Sequence, residues 1–280
     1  MSNSQSQNDH NSKHHMGHQA RKRFGQNFLH DPRVINNIVK SIRPREGDNM
    51  VEIGPGMGAI TEHLLDGTHG YLHVVELDRD LIPGLKVKFF NHPGFEVHEA
   101  DALKYDFREL MTDERPLRIV GNLPYNISTP LIFHLLSYHD RVQDMHFMLQ
   151  KEVVQRLAAQ AGDKHYGRLG IMAQYYCDVQ HLFDVGPGAF KPAPKVDSAI
   201  VRLVPHTTLP YPAKDVKTLR DVVRSAFAMR RKTLRNNLKQ IMDVELLSDM
   251  GIDPAIRPER LELKDFVRIA DKVYEMKANS

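Results

Sequence analysis

The stretch Val51-Glu52-Ile53-Gly54-Pro55-Gly56-Met57-Gly58 constrains this chain more than any other. A short apolar run enters a glycine-rich turn, and helical spacing follows from Ala59 to Leu65. A buried strand that turns at once into a helix is the opening of a βαβ unit. The same grammar continues downstream. Strands are predicted at Met50–Ile53, Tyr71–Leu77, Phe95–His98, Leu117–Val120, Asp144–Leu149, Val179–Val185 and Ser198–Val204. Helical spacing falls at about 32–42, 79–90, 129–137 and 152–161, the first opened by Asp31-Pro32 as N-cap and first helical residue. Alternation at this interval predicts an α/β fold, an open and mostly parallel sheet with helices on both faces.

Residues 1–18 are rich in Ser, Asn, Gln and His and are expected to be a disordered tail. Pro205, Pro210 and Pro212 break the alternation, so a domain boundary is expected near residue 208. This divides the chain into a main domain at 19–208 and a small all-helical domain at 209–280. The 280 residues, 41% hydrophobic, suffice for both. Cys177 is the only cysteine, which excludes an internal disulfide and a cysteine-based zinc site. His10, His14, His15 and His18 lie in the polar tail and read as solvated; no HExxH-like pair occurs elsewhere, so no metal is expected. No run approaches the roughly 20 apolar residues of a membrane span, and no apolar leader opens the chain. A cytoplasmic protein without a membrane partner is expected.

Open α/β sheets bind ligands beyond the carboxyl ends of their strands. Gly54, Glu76, Asp101 and Asn122 each follow a successive predicted strand, so all four are expected to line one crevice. The glycines allow close approach of a ligand to the backbone. Glu76 comes twenty-two residues after Gly54, where an acidic side chain can accept hydrogen bonds from both hydroxyls of a ribose. Asp101 can accept from an adenine amino group, although a lone Asp there also serves as a helix N-cap. These positions fit either a nicotinamide dinucleotide or S-adenosylmethionine, since both carry an adenosine.

Gly121-Asn122-Leu123-Pro124-Tyr125 separates the two. The amino nitrogen of adenine is a poor nucleophile because its lone pair is delocalised into the ring. The side-chain carbonyl of Asn122 and the backbone carbonyl of Pro124 can accept its two N–H bonds and turn that lone pair toward a donor methyl. Tyr125 can stack on a flipped base. Rate would come mainly from alignment, with neither a strong general base nor a metal.

Together with these stretches, Arg21-Lys22-Arg23-Phe24-Gly25-Gln26-Asn27-Phe28-Leu29, Val75-Glu76-Leu77-Asp78, Asn126-Ile127-Ser128, Met148-Leu149-Gln150-Lys151-Glu152-Val153 and Phe190-Lys191-Pro192-Ala193-Pro194-Lys195-Val196-Asp197-Ser198 resemble the bacterial small-subunit ribosomal RNA adenine dimethyltransferases, the kasugamycin-resistance methyltransferase family. The resemblance spans nearly the whole chain beyond the tail. It implies a Rossmann-like seven-stranded methyltransferase sheet with a small all-helical C-terminal domain. It implies S-adenosylmethionine bound by Asn27, Leu29, Gly54, Glu76, Asp101 and Asn122. It implies a catalytic set of Asn122, Leu123, Pro124, Tyr125 and Phe190, with Phe190 facing Tyr125 across the base. The implied substrate is a pair of adjacent adenosines in the 3′-terminal hairpin loop of 16S rRNA, within an immature 30S subunit. A monomer is expected.

The net charge is only +3, but its placement is uneven. Helical sequence from Lys217 to Lys239 carries eight bases against the single acid Asp221. Arg220, Arg224, Arg231 and Arg235 recur in steps of four and seven and are expected near one face, with Arg230 and Lys232 beside them. Such a cluster suits RNA phosphates, as does Arg21-Lys22-Arg23. The competing readings are a related enzyme acting on large-subunit rRNA, an assembly factor without catalysis, and a nicotinamide oxidoreductase. The last lacks a hydride-handling constellation.

Overall fold

In β1 (Asn49–Ile53) every residue is buried, as in a strand covered on both faces. The structure, a computed structural model, describes residues 14–15, 18–19, 26–229 and 231–279. Six further strands join β1 in one sheet: β2 (Tyr71–Glu76), β3 (Gly94–Glu99), β4 (Leu117–Asn122), β5 (Val142–Gln150), β6 (Cys177–Val185) and β7 (Ser198–Pro205). Their order is β3-β2-β1-β4-β5-β7-β6. The first five pair in parallel, and β7 runs antiparallel to β5 from Ser198 opposite Gln150 to Leu203 opposite Met145. No α-helix separates β6 from β7, so the crossover that parallel neighbours require is absent there. The seven-stranded sheet expected from the sequence is present.

Strand order reverses between β1 and β4, since β2 and β3 lie to one side and β4 to the other. Such a switch point opens a crevice at the carboxyl ends of the strands. On one face, α1 (Pro32–Ile42), α2 (Thr61–Gly67) and α3 (Ile82–Lys88) contribute Ile35, Ile38, Ile42, Leu64, Leu65 and Leu85 to a core shared with Met50, Leu72, Val74, Val120, Met148 and Ile200. The alternate residues Val51, Ile53, Val75, Ile119 and Phe147 point the other way and are also buried. The start of α1 is as expected: Asp31 accepts from the N–H groups of Arg33 and Val34. The helix expected from Ala59 instead begins at Thr61, after a series of turns.

The chain separates into two compact units, one running to Lys151 and resuming over His181–Leu203, the other made of Glu152–Gln180 and Val204–Ser280. The second unit contains α6 (Arg168–Tyr176), α7 (Val216–Ala226), α8 (Leu234–Leu238), α9 (Val244–Asp249) and α10 (Leu263–Ala278), following α5 (Lys151–Ala158) and α4 (Ser128–Leu136) in the chain. Its core sets Phe227 edge-on to Tyr166 and tilted against Phe266, with ring centroids 6.4 and 5.9 Å apart.

The segment from Lys217 to Lys239, expected as continuous helical sequence, is instead two helices, α7 and α8. Phe227 closes α7 by turning its N–H onto the Val223 carbonyl. The side chain of Asn237 then accepts from the Met229 N–H and donates to the Met229 carbonyl, satisfying backbone groups in the break. Buried Leu234 and Leu238 dock α8 separately. Arg220 and Arg224 therefore sit on one helix and Arg235 on another, so the four-and-seven spacing does not define a common face.

Of the tail expected to be disordered, His14–His15 and His18–Gln19 pair antiparallel, two residues a side and marginal by itself; its other residues lie outside the described ones, as do Arg21, Lys22, Arg23 and Arg230.

Candidate active site

A cavity of about 1060 Å³ opens at the carboxyl ends of β1, β2 and β4. It is lined by Asn27, Leu29, Gly54, Glu76, Asp101, Asn122, Leu123, Pro124 and Tyr125 among others, so these sequence-predicted residues come together. Its volume exceeds the upper end of ordinary small-ligand pockets, which leaves room for a cofactor and a second group.

The floor is the turn after β1. Gly54 and Gly56 have φ of 66° and 58°, in the left-handed region, where glycine carries no penalty. A Cβ on Gly56 would also lie 3.2 Å from the Phe28 ring. Glu76 ends β2 and is 7% exposed. One carboxylate oxygen accepts from the Asp78 N–H at 2.8 Å, and the other from the Gly56 N–H at 3.4 Å. The carboxylate thus ties the second strand to the glycine turn. Burial pushes the Glu76 carboxyl up to about 6, against the pull of those N–H groups. Asp101 follows β3; its Oδ1 accepts from the Leu103 N–H at 3.0 Å, so it caps a turn while lining the cavity.

Asn122 is the last residue of β4. Its Nδ2 donates to the Asn27 carbonyl at 3.1 Å. Because the NH₂ end is engaged by a carbonyl, Oδ1 is the end left to accept. The Pro124 carbonyl accepts from the Ile127 N–H at 3.2 Å and keeps a second lone pair. Leu123 is buried, its N–H donating to the Met148 carbonyl at 3.2 Å. The Tyr125 hydroxyl shares a 2.6 Å hydrogen bond with Ser198 Oγ, which pins the ring, and burial raises the phenol above its ordinary value. Tyr125 is therefore a neutral ring held by its tip.

Phe190 is placed differently. It is 2% exposed, belongs to the core cluster, and pairs with Leu29 in a two-residue antiparallel ribbon in which Lys191 pairs with Phe28. It does not line the cavity. The ribbon instead fastens the Asn27–Leu29 strap, with the His30 N–H donating to the Ala189 carbonyl at 2.9 Å.

Several residues were not singled out from the sequence. Gln26 donates to buried Asp78 at 2.7 Å, which anchors the start of the strap. Glu52 lies in the cavity wall, 3% exposed, accepts from Thr61 Oγ1 at 2.6 Å, and is pushed up to about 7 mainly by burial. Ser198 holds Tyr125. Of the predicted RNA-contacting residues, Arg220, Arg224, Arg231, Lys232 and Arg235 are exposed, and Arg224 pairs with Asp221 at 2.8 Å.

The model of a family described as ribosomal RNA adenine dimethylase matches residues 17–275. A protein of Marinobacter nauticus named ribosomal RNA small subunit methyltransferase A is 71% identical over 91% of this chain and 92% of its own. One of the same name from Hahella chejuensis is 67% identical over 93% and 95%. Among solved structures, a dimethyladenosine transferase from Plasmodium falciparum superposes with a TM-score of 0.75 at 26% identity, covering 90% of this chain and 98% of that one. The 23S rRNA methyltransferase ErmE, 24% identical with a TM-score of 0.70 over 89% and 100%, shares the fold.

Proposed function

Because the chain belongs to the ribosomal RNA adenine dimethylase family, we propose that its cavity brings a methyl donor on the Gly54–Glu76–Asp101 side to a flipped adenine on the Asn122–Tyr125 side. The protein is a small-subunit rRNA adenine N6-dimethyltransferase that uses S-adenosylmethionine. The residues present fit that cofactor: a buried carboxylate at a strand end for a ribose, a turn without Cβ atoms for close approach, and an acid after β3 for an adenine amine. When bound, S-adenosylmethionine supplies an electrophilic methyl group on a sulfonium sulfur.

The chain's own residues do the aligning. Asn122 Oδ1 and the Pro124 carbonyl accept the two N–H bonds of the target amine and aim its lone pair across the cavity. The Tyr125 ring, pinned through Ser198, stacks on the base. The proton is lost after alkylation, when the nitrogen is strongly acidic, so no side chain has to act as a strong base. Phe190 would have to leave its core position to stack opposite Tyr125. Asn27 and Leu29, both in the cavity lining, would hold the methionine part of the cofactor.

The substrate is two adjacent adenosines in the 3′-terminal hairpin loop of 16S rRNA, presented by an immature 30S subunit to a monomeric enzyme in the cytoplasm. Among the described residues no helix is long and apolar enough to cross a membrane. Residues 19–208 act as the methyltransferase domain. Residues 209–280 bind RNA through Arg220, Arg224, Arg230, Arg231, Lys232 and Arg235, and Arg21, Lys22 and Arg23 add phosphate contacts.

The amide orientation of Asn122, set by the Asn27 carbonyl, is the observation that carries this reading. In the Asn122→Ala variant, kcat on immature 30S particles should fall by about 10²–10³, the cost of one alignment-critical hydrogen-bonding group. Cofactor affinity should change by less than about tenfold. Mass mapping of modified adenosines, with protein-free large-subunit rRNA as the comparison substrate, reads the outcome. A variant that dimethylates at the unaltered rate removes this mechanism.

A further inference from the structure

Three side chains that the reaction does not use converge at the edge of the sheet. His73 lies on β2, and Glu96 and His98 lie two residues apart on the edge strand β3, so both project from the same face. The parallel register sets His73 opposite Glu96. None of the three lines the cavity.

Their facing atoms form a compact triangle. His73 Nδ1 is 3.2 Å from His98 Nε2 and 3.5 Å from Glu96 Oε2, and the last two atoms are 3.9 Å apart. A point equidistant from all three lies about 2.1 Å from each, the length of a zinc bond to imidazole or carboxylate. Around a tetrahedral ion with such bonds, ligand atoms stand about 3.3 Å apart, close to these edges.

The surroundings also suit an ion. His98 is held from behind by Tyr105, whose hydroxyl is 3.2 Å from Nδ1. With Nδ1–H donating to that oxygen, Nε2 is the unprotonated, metal-binding nitrogen. This is the outer-shell support that ligating histidines ordinarily have. The side chains of His73 and His98 are 24% and 25% exposed and that of Glu96 is 61% exposed, so an ion has a path in.

We propose that His73, Glu96 and His98 bind a zinc-type divalent transition-metal ion, with three protein ligands and an open fourth position, clamping the edge strand β3 to β2. A binding-only clamp of this kind strengthens an edge strand that has a backbone partner on one side only. It lies three residues before Glu76 on β2 and three before Asp101 on β3.

The tail histidines could bind metal by themselves, so the test uses the full chain with His10, His14, His15 and His18 replaced by Ala. Titration with Co²⁺ should give about one ion per chain with the intense visible bands of four-coordinate cobalt. Zn²⁺ should displace it and raise the melting temperature by several degrees. Glu96→Gln, at an exposed position that should not disturb folding, is expected to weaken Co²⁺ binding at least about tenfold and remove the thermal shift. His98→Gln should abolish the bands. The proposal is overturned if the tail-substituted chain shows no such bands, or if Glu96→Gln and His98→Gln bind as tightly as their parent. Either result would leave the cluster as side-chain hydrogen bonds and ion pairs without a metal.

Discussion

Lowering the pH from 7 to 5 is expected to weaken cofactor binding about tenfold, through Glu76. Its carboxyl is 7% exposed and pushed up to about 6 by burial. A ribose diol presents two O–H donors, and only the ionised carboxylate accepts both on its two oxygens without keeping a proton of its own. Binding therefore releases a proton wherever the empty site holds one. At pH 5 about one molecule in eleven carries an ionised Glu76, so the apparent Kd rises about tenfold, near 1.4 kcal/mol, and levels off above pH 7. For folding the sign is opposite: a carboxyl raised from 4.5 to about 6 favours the folded chain below 4.5, and that contribution is lost as pH climbs through 6. Calorimetry at pH 5, 6 and 7 in two buffers of different ionisation heat gives both the Kd and the protons released. Glu76→Gln should bind more weakly at pH 7 and show no slope. Asp78→Asn removes the neighbouring negative charge that raises Glu76 in part, so it should move the bend to lower pH. A Kd that does not change between pH 5 and 7, or an undiminished slope in Glu76→Gln, would refute the assignment.

Arg118 is 6% exposed and donates from Nε and Nη2 to Asp144, both at 2.9 Å, and from Nη1 to Asp48 at 2.6 Å. Arg118→Leu strands Asp144, itself 3% exposed, and should cost about 3–5 kcal/mol, read as a drop of about 10 °C in a thermal melt. A Cβ on Gly121 would lie 2.6 Å from the Ile53 carbonyl oxygen and 3.0 Å from Leu123, forcing β1 and β4 apart beneath the cavity. Gly121→Ala should lose cofactor binding together with about 1–3 kcal/mol of stability, whereas Gly186→Ala, with nothing within 4 Å, should do neither. Replacing Arg231, Lys232 and Arg235 with Gln should weaken RNA binding and flatten the dependence of log K on log salt by about 2 units, at about 0.7–0.9 per lost phosphate contact. A filter-binding series at several salt concentrations checks this, and an unchanged slope would remove those side chains from the interface.

The four strand-end positions were readable because a doubly wound sheet converts order along the chain into adjacency in space. Once Gly54, Glu76, Asp101 and Asn122 each close a successive strand, no other information is needed to bring them to one crevice. What escaped depends on register or on contacts between distant segments. Gln26 meets Asp78 across 52 residues, and Tyr125 meets Ser198 across 73. Periodicity within either segment carries no trace of the other. Helix α6 was missed for a different reason. Gly170, Ile171, Met172, Ala173, Tyr175 and Tyr176 are all buried, so the segment has no polar face from which a helical period could be read. The opposite error produced the single helix over 217–239, where a basic spacing continues past a break that only the separate docking of Leu234 and Leu238 enforces. The histidine–glutamate triangle combines both limits. A search for ligands at helical spacing passes over residues 96 and 98, whose period is that of a strand, and their partner 73 is supplied by the pairing of β2 with β3. Phe190 marks the same boundary from the other side: its place in a matching stretch implied a ring facing Tyr125, yet the strap pairing that draws Leu29 over the cavity also draws Phe190 into the core. Either the base stacks on Tyr125 alone, or that ribbon opens when RNA binds. Phe190→Ala separates the two: a loss confined to folding stability belongs to a core residue, and a fall in kcat at unchanged cofactor affinity belongs to a second stacking ring.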